Sequence, residues 1–172
     1  MGDLAKDVAA KIRDVPDFPK PGILFKDITP ALAEPDLFRR VIRWMAEGWP
    51  PVDLLVGMES RGFIFAAALV DSMGAGFVPA RKRGKLPHEV VRVDYGLEYG
   101  TASLEIHSDA IVPGQRVLVV DDLLATGGTA QATVELIQQL GGVVVGCCFL
   151  VELGFLSGRD RLAVPVRSLV VY

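Results

Sequence analysis

Runs of branched apolar residues alternate with apolar residues at helical spacing along most of the chain. Leu4, Val8, Ile12 and Val15 fall on one helical face, which predicts a short amphipathic helix ending before the prolines at 16, 19 and 21. A proline-punctuated segment follows. Leu37, Phe38, Val41, Ile42 and Met45 predict a second helix beginning after Pro35. Residues 53–57 read as a short buried strand feeding a turn at 59–62, and residues 63–73 are apolar nearly all round, as in a helix laid against a sheet. Further strands are predicted over 77–81, 116–121 and 143–151, with a helix over 129–140 that carries Ala130, Val134, Ile137 and Leu140 at helical spacing. Between 85 and 106, Val91, Val93 and Tyr95 alternate, and Leu104 and Ile106 follow beyond Gly96 and Gly100; this suggests a hairpin-like flap. A polar loop from Gly154 and an apolar strand at 168–172 complete the pattern. Strands alternating with helices make the fold class α/β.

Composition narrows the class without naming a chemistry. The 172 residues fit a single domain with a sizeable core. A mean hydropathy of +0.37 reflects buried Val, Leu and Ala, because polar residues interrupt every stretch before the roughly 18 apolar residues of a spanning helix. Asp3, Lys6 and Asp7 break up the start of the chain, so no secretory h-region is present and a cytoplasmic location is expected. A net charge of −3 and a pI near 5.4 argue against a general nucleic-acid binder. Cys147 and Cys148 are adjacent and read as core fillers, while His88 and His107 stand apart from other ligands, so a structural zinc site has little support.

Residues 117–129, Val-Leu-Val-Val-Asp-Asp-Leu-Leu-Ala-Thr-Gly-Gly-Thr, join a buried strand, two carboxylates and a glycine-rich turn that opens a helix. Backbone N–H groups of such a loop, together with the helix N-terminus, favour an anion at the carboxyl edge of the sheet. Gly127 and Gly128 allow close approach of the backbone to a ligand, and Thr126 and Thr129 add hydroxyl donors. Asp121 and Asp122 would repel a bare phosphate, but both accept hydrogen bonds from a sugar diol. A ribose phosphate satisfies both halves. The same residues also fit a tight strand-to-helix connection whose acids only solubilise the edge. A second charged cluster, Arg81-Lys82-Arg83-Gly84-Lys85, follows the strand predicted at 77–81 and is placed to hold another anion.

Residues 119–129 resemble the phosphoribosyl-pyrophosphate motif of the type I phosphoribosyltransferases. Segments 18–30 (Phe-Pro-Lys-Pro-Gly-Ile-Leu-Phe-Lys-Asp-Ile-Thr-Pro), 59–63 (Glu-Ser-Arg-Gly-Phe), 81–87 and 97–100 (Leu-Glu-Tyr-Gly) resemble the adenine-specific branch of that family. The resemblance implies a mostly parallel sheet flanked by helices, with an N-terminal hood at about 1–34, a core over 35–152 carrying a flexible flap at about 86–106, and a C-terminal segment at 153–172. It implies transfer of a phosphoribosyl group from phosphoribosyl pyrophosphate to adenine, giving AMP and pyrophosphate. Ala125, Thr126, Gly127, Gly128 and Thr129 would then hold the ribose 5'-phosphate, and Asp121 and Asp122 the ribose hydroxyls. Glu59, Ser60, Arg61, Arg81 and Lys85 would receive pyrophosphate, and Leu24, Phe25 and Lys26 the adenine. Glu98 would be the general acid/base and Tyr99 a flap contact. Mg²⁺ is implied as cofactor, carried mainly by substrate and water rather than a protein cage, and a homodimer is implied with residues 81–83 near the subunit contact. No membrane or nucleic-acid partner is expected. Two rivals stand beside this reading: a phosphoribosyltransferase for another base, and a regulator that binds phosphoribosyl pyrophosphate without turnover.

Overall fold

The computed structural model describes residues 2–97 and 100–172, so Glu98 and Tyr99 lie outside the described residues. Residues up to Trp44 and residues from Met45 onward form two compact units. In the first, α1 (Asp3–Lys11) ends where Ile12 turns extended, and β1 (Arg13–Pro16) pairs antiparallel with β2 (Leu24–Asp27). The helix expected to reach Val15 therefore stops four residues short of it. Val15 pairs with Phe25 across the two-stranded ribbon, and a β-branched residue suits that pleated position as well as it suits a helix face. A short α2 (Thr29–Leu32) precedes α3 (Pro35–Ala46), whose start matches the proline signal at its first turn.

The second unit is a seven-stranded sheet. Its strands are β3 (Leu54–Met58), β4 (Gly76–Lys82), β5 (Val90–Leu97), β6 (Gly100–His107), β7 (Arg116–Leu124), β8 (Val143–Glu152) and β9 (Val166–Val171), in the order β5-β6-β4-β3-β7-β8-β9. The run from β4 through β3, β7 and β8 to β9 is parallel, and the β5–β6 hairpin joins β4 antiparallel. That is the mostly parallel α/β sheet expected. Helix α4 (Gly62–Met73) packs against β3 and β7, and α5 (Gly128–Gln139) packs against β7 and β8.

Strand β7 is buried on both faces because its apolar residues are consecutive. Val117 and Val119 join Ala130, Val134 and Ile137 of α5 in one cluster, and the intervening Leu118 and Val120, fully buried, face the other side. Each such side chain contributes about 1.5–3 kcal/mol by burial. This anchoring fixes where the polar end of β7 emerges.

Candidate active site

The chain leaves β3 through α4 toward β4 on one side, and leaves β7 through α5 toward β8 on the other. Adjacent parallel strands whose connections diverge in this way open a crevice beyond their carboxyl ends. Gly57 lies opposite Val120, so the loop at 59–62 and the polar end of β7 start at the same height. A cleft of about 530 Å³ lies there, lined by Glu59, Ser60, Arg61, Lys82, Tyr95, Asp121, Asp122 and Thr129 among others.

Strand β7 runs three residues past the predicted end at 121, so both aspartates sit in regular strand geometry. Asp122 is only 4% exposed, and its Oδ2 lies 2.7 Å from Arg61 Nε. Asp121 Oδ1 accepts the Asp122 backbone N–H at 2.8 Å. The start of α4 presses onto this carboxylate. A Cβ on Gly62 would come within 2.7 Å of the Val120 carbonyl and 2.8 Å of Asp121 Oδ1, so only glycine permits the approach. Burial, and then the neighbouring Asp122 charge, push the Asp121 carboxyl well above the usual carboxylate range, with Arg61 opposing the shift.

Beyond the acids, residues 123–130 wrap a small hollow of about 90 Å³ that includes Ala125, Thr126, Gly127, Gly128 and Thr129. Helix α5 opens at Gly128, with Gly127 left-handed (φ 81°) before it. The first-turn amides of a helix have no intrahelical partners, which makes this hollow suited to an anion. The sequence assigned Gly127 to ligand approach, but the structure adds a different requirement. A Cβ there would collide with the Gly158 carbonyl, well under 3.0 Å away. Gly158 lies in a segment for which the sequence offered no role.

On the opposite flank the cations divide into two sets. Arg81 Nε donates to Glu59 Oε2 at 3.0 Å and Arg81 Nη1 donates to the Lys85 carbonyl at 2.9 Å, so Arg81 braces the 59–62 loop. Arg61 and Lys82 line the cleft itself. Lys82 belongs to the basic cluster that the sequence marked, but was not singled out within it.

Tyr95 on β5 is a second residue the sequence did not assign. Its hydroxyl lies 3.2 Å from Thr129 Oγ1, joining the flap hairpin to the first turn of α5. His88 and His107, 19 positions apart, have ring centroids 6.2 Å apart. Among the described residues no group of three or more His, Cys, Asp or Glu side chains is placed to hold a metal. Leu24, Phe25 and Lys26 lie on β2 of the first unit, where Phe25 meets the Phe18 ring edge-on at 5.1 Å and Lys26 Nζ donates to Asp14 Oδ1 at 2.6 Å.

Residues 26–165 match the family model of the phosphoribosyl transferase domain. The chain is 56% identical over 171 residues to the adenine phosphoribosyltransferase of Acidothermus cellulolyticus, covering 98% of this chain and 97% of that one. It belongs to the adenine phosphoribosyltransferase family. Solved structures of the family agree. The crystal structure of the Thermoanaerobacter pseudethanolicus protein superposes with a TM-score of 0.94 at 49% identity, covering 98% of this chain and 99% of the other. The Saccharomyces cerevisiae protein, crystallised with an imino-altritol bisphosphate and adenine, superposes with a TM-score of 0.91 at 40% identity over 98% and 99% of the two chains.

Proposed function

We propose that this chain transfers the 5-phosphoribosyl group of phosphoribosyl pyrophosphate to adenine, forming AMP and pyrophosphate. The observation that carries the reading is the crevice between β3 and β7, where an acid pair separates an amide-lined hollow from a cationic flank. A ribose phosphate fits that order. Residues 125–129 hold the 5'-phosphate at the start of α5, Asp121 and Asp122 accept the ribose hydroxyls, and Arg61 with Lys82 at the end of β4 receives pyrophosphate. Arg81 and Glu59 hold the receiving loop, Ser60 adds its hydroxyl, and Arg81 and Lys85 are further cations on that side.

In the reaction the bond from C1 to the pyrophosphate oxygen breaks, a bond from C1 to adenine N9 forms, and N9 loses its proton. Positive charge develops on the ribose ring as the leaving group departs. Asp121 and Asp122 lie where a negative field favours that charge, an effect worth about 10²–10³ in rate when one such group is removed. Glu98 accepts the N9 proton, and Tyr99 serves as a packing or ribose-side contact. Phe25 offers a stacking face to adenine, while the backbone of Leu24 and Lys26 supplies hydrogen bonds to the purine edge.

Mg²⁺ fits this donor set as an ion carried by the substrate, for which the carboxylates of Asp121 and Asp122 would be outer-shell acceptors. When bound, the ion neutralises the polyphosphate leaving group. We read the protein as a cytoplasmic homodimer with residues 81–83 near the subunit contact; elution at about twice the 18.5 kDa chain mass checks this. Among the described residues no helix is long and apolar enough to cross a membrane.

Incubation with adenine, phosphoribosyl pyrophosphate and Mg²⁺ is expected to yield AMP and pyrophosphate in equal amounts. Binding without turnover would identify a sensor instead, and preference for guanine, xanthine or a pyrimidine in competition would reassign the base. Glu98→Gln is expected to lower kcat far more than it weakens adenine binding; unchanged kcat would remove Glu98 from proton transfer.

A further inference from the structure

The segment after β8 forms two 3-10 turns, Gly154–Leu156 and Gly158–Arg161, and the second touches the phosphate hollow from outside. Gly158 is buried, and a Cβ on it would collide with the Ala125 carbonyl and come within 2.8 Å of the Gly127 nitrogen. The reciprocal Cβ on Gly127 would strike the Gly158 carbonyl. Two backbones are therefore in direct contact, with no side chain between them to give way. The turn is also tied to the sheet. Arg159 grips both oxygens of Glu152, Nε to Oε1 at 3.0 Å and Nη2 to Oε2 at 2.5 Å, and its Nη1 donates to the Val166 carbonyl at 2.8 Å. Glu152 is 5% exposed and pairs in register with Leu124, the residue from which the hollow's loop departs, and Leu153 N–H donates to the Leu124 carbonyl at 2.9 Å.

We infer that the turn at Gly158 and Arg159 is a positioning element for the phosphate loop: Gly158 sets the depth of the hollow by backing residues 125–127, and the Arg159–Glu152 fork holds that backing in place. The inference rests on the proposed phosphoribosyl transfer and assigns to that site two residues that touch no substrate. Its physical content is pre-organisation. A loop already supported on its outer surface presents its amides without being ordered when the anion arrives, so the support raises affinity for the phosphate end of the substrate alone. A fork between a buried carboxylate and a guanidinium suits this because its two parallel hydrogen bonds fix angle as well as distance.

The test compares two probes at equilibrium, ribose 5-phosphate and inorganic pyrophosphate, titrated into the full chain by calorimetry. Gly158→Ala is expected to weaken ribose 5-phosphate about tenfold or more while pyrophosphate affinity stays within about twofold, and to raise KM for phosphoribosyl pyrophosphate with kcat nearly unchanged. Arg159→Ala is expected to act in the same direction but more weakly, by about three- to fivefold, with partial recovery in Arg159→Lys. Gly154→Ala, in the same segment but facing Val171 and Tyr172, is expected to leave both affinities unchanged. Should Gly158→Ala not fold, Arg159→Ala decides by the same two affinities. Equal loss of both probes, unchanged ribose 5-phosphate affinity, or an equal effect from Gly154→Ala overturns the inference. Absence of AMP formation by the unmodified protein overturns the parent reading instead, so the two failures are distinguishable.

Discussion

Strand β7 has an acid site at each end, and the two are built in opposite senses. At its start, Arg116 donates to Asp53 from Nε at 2.9 Å, from Nη2 at 2.7 Å and from its backbone N–H at 2.7 Å. These hydrogen bonds hold the Asp53 carboxyl down at about 2. At the far end Asp121 is raised by burial and by the Asp122 charge, with the Asp122 backbone N–H and Arg61 working against the shift. One carboxylate has its partners in place in the folded chain, and the other is held beside a like charge. Asp53, just before β3, is satisfied by the first residue of β7; the raised Asp121 carboxyl stands at the end where the proposed ribose would supply partners.

The largest expected effect comes from removing the far-end charge. Asp122→Asn is expected to lower kcat/KM by about 10²-fold or more, read by AMP formation, and activity near that of the unmodified protein would erase the functional half of the contrast. Asp121→Asn is expected to lower activity and, in the same protein, to raise the melting temperature of the ligand-free chain by about 2–4 °C, since it removes a repelled buried charge. That gain has a pH signature. With the folded pKa above the unfolded value of 3.8, the charge does not oppose folding below about pH 3.8. The advantage of Asn therefore grows as pH rises from there through the raised folded value. Asp53→Asn is the smallest change: a slight fall in melting temperature with kcat/KM unaltered. Its pair is half-exposed, so solvent screens it. The contribution of Asp53 is present above pH 3.8 and fades as pH falls through about 2, the opposite direction from Asp121. If melting curves of the two variants moved in parallel with pH, the distinction between the ends of β7 would be lost.

Much of this was visible in the residues. Consecutive branched residues at 117–120 announced a doubly covered strand, and the acids and glycines after them marked the polar end of β7 and the turn into α5 where the phosphate is proposed to bind, because both are short-range patterns. The N-terminal helix was drawn too long because Ile12 and Val15 satisfy helical spacing and strand propensity alike, and only pairing with Phe25, ten residues later, decides between them. Tyr95 was legible as an alternating strand residue, but its contact with Thr129 spans 34 positions. Lys82 stood in view within a run of cations; which member points into the cleft depends on Arg81 being taken by Glu59. Gly158 had no sequence signal at all, since its need for hydrogen in place of a side chain arises from where Gly127 lies in space.

Cys147 and Cys148 sit in the middle of β8, fully buried, with burial raising both thiols to about 12. At neutral pH the thiolate fraction of such a group is about one in 10⁵, so alkylating reagents and peroxide meet almost no nucleophile while the sheet is closed. Reaction must wait for the layer over each face of β8 to lift, the α5 side for Cys147 and the Met45 side for Cys148. The rate at which a maleimide consumes each sulfur therefore clocks uncovering of one face of the sheet, and adjacent placement on β8 reports both faces from a single strand. A ligand that tightens the crevice at the end of β7 would slow that clock without touching either sulfur.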